Sequence, residues 1–200
     1  MKLNLAEQLL VNNPFRAAIQ MFYEGPLLRK LGGSVPGGTV LEIGCGQGVG
    51  VDVIFRRFDA AHVCGIDLDP VQIDRARKRL LEKYAGRVTL MQGDAERLPF
   101  ANASFDAVFD FGALHHVPDW QRSIAEIRRV LKPGGTLFFE EVTRAALQRW
   151  VYRMFFEHPV ENRFSDAEFL AEMERLGLRS AGPLRRTLFG DIFIGAAKLS

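Results

Sequence analysis

The stretch that most limits what this chain can fold into runs from Val40 to Gly50, VLEIGCGQGVG. Val40, Leu41 and Ile43 read as an apolar strand, and glycines at 44, 46 and 48 follow at once. Val51, Ile54, Phe55 and Phe58 then recur at i, i+3, i+4 and i+7, the period of a helix with one buried face. A strand that turns through glycines into a helix lets a ligand approach the backbone where a Cβ would collide, and α/β folds build nucleotide pockets this way. A dinucleotide turn of the form G-x-G-x-x-G needs glycine at position 49, where this chain has Val49. With Glu42 two residues ahead of the first glycine, the turn points away from NAD and toward another adenosine-bearing ligand.

The chain beyond it continues the same alternation. A second apolar strand, Ala61 to Leu68, closes on Asp67 and Asp69. Asp69 precedes Pro70, the favoured first pair of a helix, and Ile73, Ala76, Leu80 and Tyr84 keep helical period behind it. Asp69 therefore reads as a cap. Asp67 stands where nucleotide-binding βαβ units place an acid on the ribose hydroxyls. A third strand spans Arg87 to Gln92, followed by Gly93-Asp94-Ala95-Glu96, and a fourth spans Phe105 to Phe111. Gly112 and the run Leu114-His115-His116-Val117-Pro118-Asp119 lead to a helix carrying Trp120, Ile124, Ile127 and Leu131. That helix is expected to stop at Pro133-Gly134-Gly135, before a fifth strand from Thr136 to Val142. Strands alternating with helices predict a mostly parallel sheet.

The two ends differ from this core. Asn13-Pro14 opens a helix whose apolar face, Phe15, Ala18, Ile19 and Phe22, is expected to pack on the sheet or lie over the cleft. A second aromatic helix over 144–157 carries Leu147, Trp150, Val151, Met154 and Phe155. Ser165 with Glu168 is a capping box, and 184–189 with 192–199 reads as a closing hairpin. A length of 200 residues suits one domain, and a net charge of +2 with scattered arginines argues against a nucleic-acid footprint. Two cysteines make neither a disulfide framework nor a zinc site, so no metal is expected. No apolar run is long enough to span a bilayer, and the expected location is the cytoplasm.

Taken in order and spacing, VLEIGCGQGVG, GIDLDP, GDAERLPF, SFDAVFDFGALHHVPD and LKPGG resemble the class I S-adenosylmethionine-dependent methyltransferases. The likeness is to the small-molecule branch that includes the ubiquinone/menaquinone-type enzymes. It implies an α/β, Rossmann-like three-layer sandwich with a seven-stranded, mostly parallel sheet and an antiparallel last strand. It implies S-adenosyl-L-methionine as cofactor and S-adenosyl-L-homocysteine as product. By the same resemblance Gly44, Cys45, Gly46 and Gly48 pass under the cofactor, and Glu42 lies near its methionine part. Asp67 takes the ribose, Leu68 packs on the adenine, Asp94 and Ala95 recognise the adenine edge, and Phe111 and Gly112 close the pocket behind the sulfonium. The core is then 39–142 within a single domain over 1–200. It is flanked by a helical extension (1–33), a helical lid (144–163) and a C-terminal helix and hairpin (164–200).

The function so implied is in-line methyl transfer to a small, hydrophobic or aromatic acceptor, with oxygen, carbon and nitrogen all open as the atom methylated. Little covalent help is needed, since positioning supplies most of the effect, and a base matters only where the acceptor must lose a proton. His115 and His116 are the candidate bases, and Phe22, Tyr23, Glu140 and Trp150 the candidate acceptor wall. No Asn-Pro-Pro-Tyr-like motif and no cysteine follow the fourth strand, which argues against nucleic-acid acceptors. Arg149 and Arg153 would also allow the lid helix to touch an anionic membrane surface. The competing readings are a non-catalytic S-adenosylmethionine-binding regulator and, against Val49, a nicotinamide oxidoreductase.

Overall fold

The computed structural model describes residues 13–147, 162–187 and 190–200. Five parallel strands form its centre: β1 (Thr39–Ile43), β2 (His62–Asp67), β3 (Val88–Gln92), β4 (Phe105–Phe111) and β5 (Leu131–Val142). They lie in the order β3-β2-β1-β4-β5, and β8 (Ile192–Leu199) joins β5 antiparallel, with Glu140 opposite Ile194. Helices cover both faces. Over one lie α2 (Gly25–Gly32), α3 (Val49–Arg57) and α4 (Pro70–Leu80), packed on Val40, Val63, Phe109 and Phe138. Over the other lie α5 (Trp120–Val130) and α7 (Asp166–Arg175), packed on Leu41, Val108, Leu137 and Phe139. The three-layer α/β sandwich is therefore the observed architecture.

Three local expectations are revised. The fifth strand begins at Leu131, because Leu131 already pairs with Phe105 before a bulge carries the chain through Gly134 (φ +77°) to the Ala107–Thr136 pair. The edge beyond β8 is two short pieces, β6 (Leu178–Ser180) and β7 (Arg185–Thr187), so among the described residues the expected seventh position of the sheet is split between two strands. Gly182 and Pro183 lie between the pieces, and proline cannot donate to a ladder.

The N-terminal helices carry the third revision. Asn13 caps α1 (Pro14–Ile19) by accepting from Arg16 N at 2.8 Å. The chain then passes through a π turn, Gln20–Glu24, into α2, with Gly25 N donating to Gln20 O. Pro26, which has no N–H, sits at this junction and makes a regular ladder impossible. The resulting face is inverted. Gln20 and Glu24 are buried, whereas Phe15, Phe22 and Tyr23 are 75%, 73% and 52% exposed. Of the helix expected at 144–157, Arg144–Leu147 forms α6, and the rest, Trp150 included, lies outside the described residues.

Under α3, Phe109 stacks on Phe138 at 4.4 Å between ring centroids and meets the edge of Phe58 at 4.6 Å. All three rings are fully buried. Phe109→Ala should lower the unfolding free energy by about 3–5 kcal/mol in urea titrations, the usual cost of a large aromatic cavity.

Candidate functional site

The cleft opens at the carboxyl ends of β1 to β4, and the glycine turn forms its floor. At Gly44 (φ +61°) a Cβ would sit 2.4 Å from that of Ala113, so only glycine lets the turn pass beneath the loop after β4. At Gly50, in the first turn of α3, a Cβ would lie 2.0 Å from Glu42 Oε1. That missing side chain is what makes room for the buried Glu42 carboxyl beneath the turn. Glu42 Oε2 has no hydrogen-bond partner among the described residues. Burial, followed by the neighbouring charges of Asp67 and Asp110, pushes Glu42 well above the usual carboxylate range.

Asp67 ends β2 and ties two elements together. Its Oδ2 accepts from Gly46 N and its Oδ1 from Asp69 N, both at 2.9 Å. Burial raises its pKa, and these two backbone bonds oppose the rise. Asp69 in turn caps α4 by accepting from Val71 N at 3.0 Å. Beyond β3, Asp94 Oδ1 accepts from Glu96 N at 2.9 Å and shapes the next turn. The cavity between these elements is about 390 Å³. Asp67, Leu68, Gln72, Asp94 and Ala95 line one end, and Phe111, Gly112, His116, Val117 and Pro118 the other. One end can hold a nucleoside by its polar edges, and the other is a largely apolar chamber with an imidazole in its wall.

Comparison with known proteins agrees with this geometry. Residues 41–139 match the family described as a methyltransferase domain. A phthiotriol/phenolphthiotriol dimycocerosates methyltransferase of Mycobacterium leprae is 33% identical over 177 residues, 88% of this chain and 62% of its own length. A fatty-acid O-methyltransferase of Mycolicibacterium smegmatis is 38% identical over 107 residues, 54% of this chain and 38% of its own length. The chain thus spans less than two thirds of either relative. In fold, a crystal structure of an S-adenosylmethionine-dependent methyltransferase from Aquifex aeolicus covers 100% of both chains with a TM-score of 0.77 at 19% identity. Over residues 41–139 the chain is similar to the methyltransferase domain family.

Within the matched core, the cleft brings together Gly44, Gly46, Asp67, Leu68, Asp94, Ala95, Phe111, Gly112 and His116. Other expected residues lie elsewhere. Cys45 points under the sheet, where its Sγ would be 3.1 Å from a Cβ on Gly65, and Gly48 makes room for Leu80. His115 stands behind His116, its ring centroid 4.1 Å from that of His116. Glu140 is buried and accepts from Arg16 Nη2 at 3.1 Å, and the same guanidinium bonds Glu24. Phe22 and Tyr23 are not on the cleft wall. Phe22 lies 5.9 Å from the Arg57 guanidinium, and Tyr23 lines a separate groove with Lys30 and Arg185.

Gln72, Gly50 and Asp110 escaped the reading of the sequence, and Glu141, a fifth-strand-end acid expected with Glu140 as a candidate acceptor contact, takes a different role. Gln72 is buried with its Oε1 unpartnered in the cleft, and a polar residue four before Ala76 on the apolar face of α4 was the available signal. Gly50, an isolated glycine inside a helical pattern, was another such signal. Asp110 and Glu141 are fully buried acids at the ends of apolar strands. They hold the loop that carries the histidines: Asp110 Oδ1 accepts from Ala113 N at 2.8 Å, and Glu141 Oε1 accepts from Leu114 N at 2.7 Å. Glu141 Oε2 lies 2.6 Å from His115 Nδ1.

Burial raises Glu141 from 4.5 to about 7, against the hydrogen bonds it receives, and burial also carries Asp110 well upward. A carboxyl raised in the folded state binds more protons than its unfolded counterpart between the two values. Its contribution is therefore complete below about 4.5 and is lost as pH climbs to about 7. Stability of the protein should fall across that window by on the order of 1–3 kcal/mol from this group. Urea titrations of Glu141→Gln at several pH values should give a flatter profile than the parent.

Proposed function

We propose that this protein transfers a methyl group from S-adenosylmethionine to a hydrophobic, lipid-type acceptor, and that its cleft residues divide into a nucleoside end and an acceptor end. The observation that carries the reading is the buried Glu42 carboxyl beside the glycine turn, its Oε2 unpartnered among the described residues, together with Asp67 and Asp94 at one end of the cavity. Bound there, the cofactor supplies a methyl group made electrophilic by a positive sulfonium. The acids suit such a ligand, since each favours the positive or hydrogen-donating parts of an adenosyl sulfonium and none would favour a pyrophosphate. Asp67 offers its carboxylate to the ribose hydroxyls, Leu68 packs against the base, and Asp94 with the backbone of Ala95 meets the adenine edge. Glu42 balances the positive methionine part from beneath, and Gln72 adds a polar atom on the nucleoside side.

At the acceptor end, Phe111, Val117 and Pro118 exclude water from the reacting atoms, and His116 is the imidazole on the cavity wall. Asp110, Glu141 and His115 act behind it by holding its loop. An acceptor that is already anionic, such as a carboxylate, needs no base, whereas a hydroxyl or phenol needs one. The support for a lipid-type acceptor is the apolar chamber, together with relatives named for acting on a fatty acid and on phthiotriol dimycocerosates.

Product masses should therefore show a gain of one methylene unit with fatty acids or long-chain phenols, and not with oligonucleotides. Binding of S-adenosylhomocysteine without turnover on any lipid acceptor would instead support a regulator. Asp67→Ala should weaken S-adenosylhomocysteine binding at least about 100-fold by calorimetry, since it removes two hydroxyl contacts from a buried charge. Near-parental affinity would overturn the ribose assignment. His116→Ala should retain turnover on carboxylates and lose on the order of 100-fold on phenols. Equal losses on both would assign His116 to positioning.

A further inference from the structure

The N-terminal helices turn their aromatic side chains away from the protein, and this is the least economical feature of the surface. Phe15, Phe22 and Tyr23 are 75%, 73% and 52% exposed, while Gln20 and Glu24 take the buried positions of the same run. An amphipathic helix normally does the reverse. The inward polar face is accounted for by Arg16, which joins Glu24 to Glu140. The outward aromatic face has no counterpart among the described residues.

The side chains around it are cationic. Arg57 lies over the Phe22 ring and Arg29 donates to the Arg57 carbonyl at 2.6 Å, so the aromatic stripe runs directly into arginines. Lys30, Arg185 and Arg186 rim a groove of about 530 Å³, with Tyr23, Leu27 and Pro183 in its walls. Of the acids nearby, Asp59 pairs with Arg29 and Asp166 with Arg186, which leaves Lys30, Arg57 and Arg185 without an ion-pair partner among the described residues. Exposed rings that reach below the headgroups, flanked by lysine and arginine stems that stay at the phosphate level, are what an interfacial helix requires. Lysine is depleted from the cores of protein–protein interfaces, so Lys30 beside Tyr23 argues for lipid over a protein partner.

We propose that the outer face of α1, the π turn and α2, with the neighbouring β7 edge, docks on an anionic phospholipid bilayer. Phe15, Phe22 and Tyr23 insert among the headgroups. Lys30, Arg57 and Arg185 meet lipid phosphates, and the groove beside Tyr23 receives a headgroup. This surface is separate from the cleft, and the proposal does not depend on the identity of the acceptor.

The test is co-sedimentation of the full chain with vesicles of phosphatidylcholine alone and with about one third phosphatidylglycerol. Binding should require the anionic lipid and should disappear near about 0.5 M salt, where screening is short-ranged. Lys30→Glu with Arg185→Glu should weaken partitioning on the order of 20-fold or more, at about fivefold for each cation removed. Phe22→Ser with Tyr23→Ser should weaken it at any salt concentration. Unchanged calorimetric affinity for S-adenosylhomocysteine in these variants would show that they fold. Failure to bind anionic vesicles at low salt, equal binding to both vesicle types, or full binding by the folded variants would overturn the proposal. A dimer in vesicle-free sedimentation that Phe22→Ser with Tyr23→Ser dissociates would also overturn it, and would assign the face to a second copy of the chain.

Discussion

The structure depends on acids buried where the central strands end. Glu42 near the end of β1, Asp67 at the end of β2, Asp110 in β4 and Glu140 and Glu141 in β5 all approach one edge of the sheet. Each is held above the usual carboxylate range, and in each the first cause is burial. Removing carboxylates from water is costly unless they are hydrogen-bonded, paired or protonated. The surrounding backbone is arranged around that requirement. The glycine turn donates to Asp67, the loop after β4 donates to Asp110 and Glu141, and α1 brings Arg16 to Glu140.

This arrangement separates the fold from its dinucleotide-binding relations. A pyrophosphate site offers helix N-termini and positive charge. Here the same strand–glycine–helix unit has an acid inserted beneath the turn, made possible by the absent side chain at Gly50. Under the proposed function, a positive sulfonium above that buried carboxyl draws it back toward its charged form, and the two charges offset each other in the low-dielectric floor of the cleft. The loop with His115 and His116 is tied to the sheet by the remaining acids, so acceptor-side geometry and donor-side charge come from one polar layer.

The inverted N-terminal helices follow from that layer. Because Glu140 is buried at the end of β5, the helix crossing it must present Arg16 and Glu24 inward, and its aromatic residues then face out. The apolar stripe of Phe15, Ala18 and Phe22 is genuine in its spacing. It was expected to pack on the sheet or lie over the cleft, and Phe15 and Phe22 instead face outward, because helical period identifies a face without saying which way it turns. The π turn before Pro26 shifts the register further; the proline marks a break in the ladder but not which way the faces on either side of it turn.

Much of the rest was legible. Strand and helix order, the caps at Asn13, Asp69 and Ser165, the turn from Gly44 to Gly48, and the acids at 67 and 94 are local signals: apolar period, cap chemistry and glycine spacing act over a few residues. By itself the sequence determined the α/β class, the glycine turn after the first strand and the order of strands and helices. Only the tertiary structure decided which histidine lines the cavity, that Glu141 stands behind the other, and that Glu140 belongs to Arg16. It also decided that Phe22 and Tyr23 leave the site and that the sheet's edge divides into two strands. These are meetings between residues far apart in the chain, set by which buried charge each element must satisfy, and such a requirement exists only once the elements are packed together.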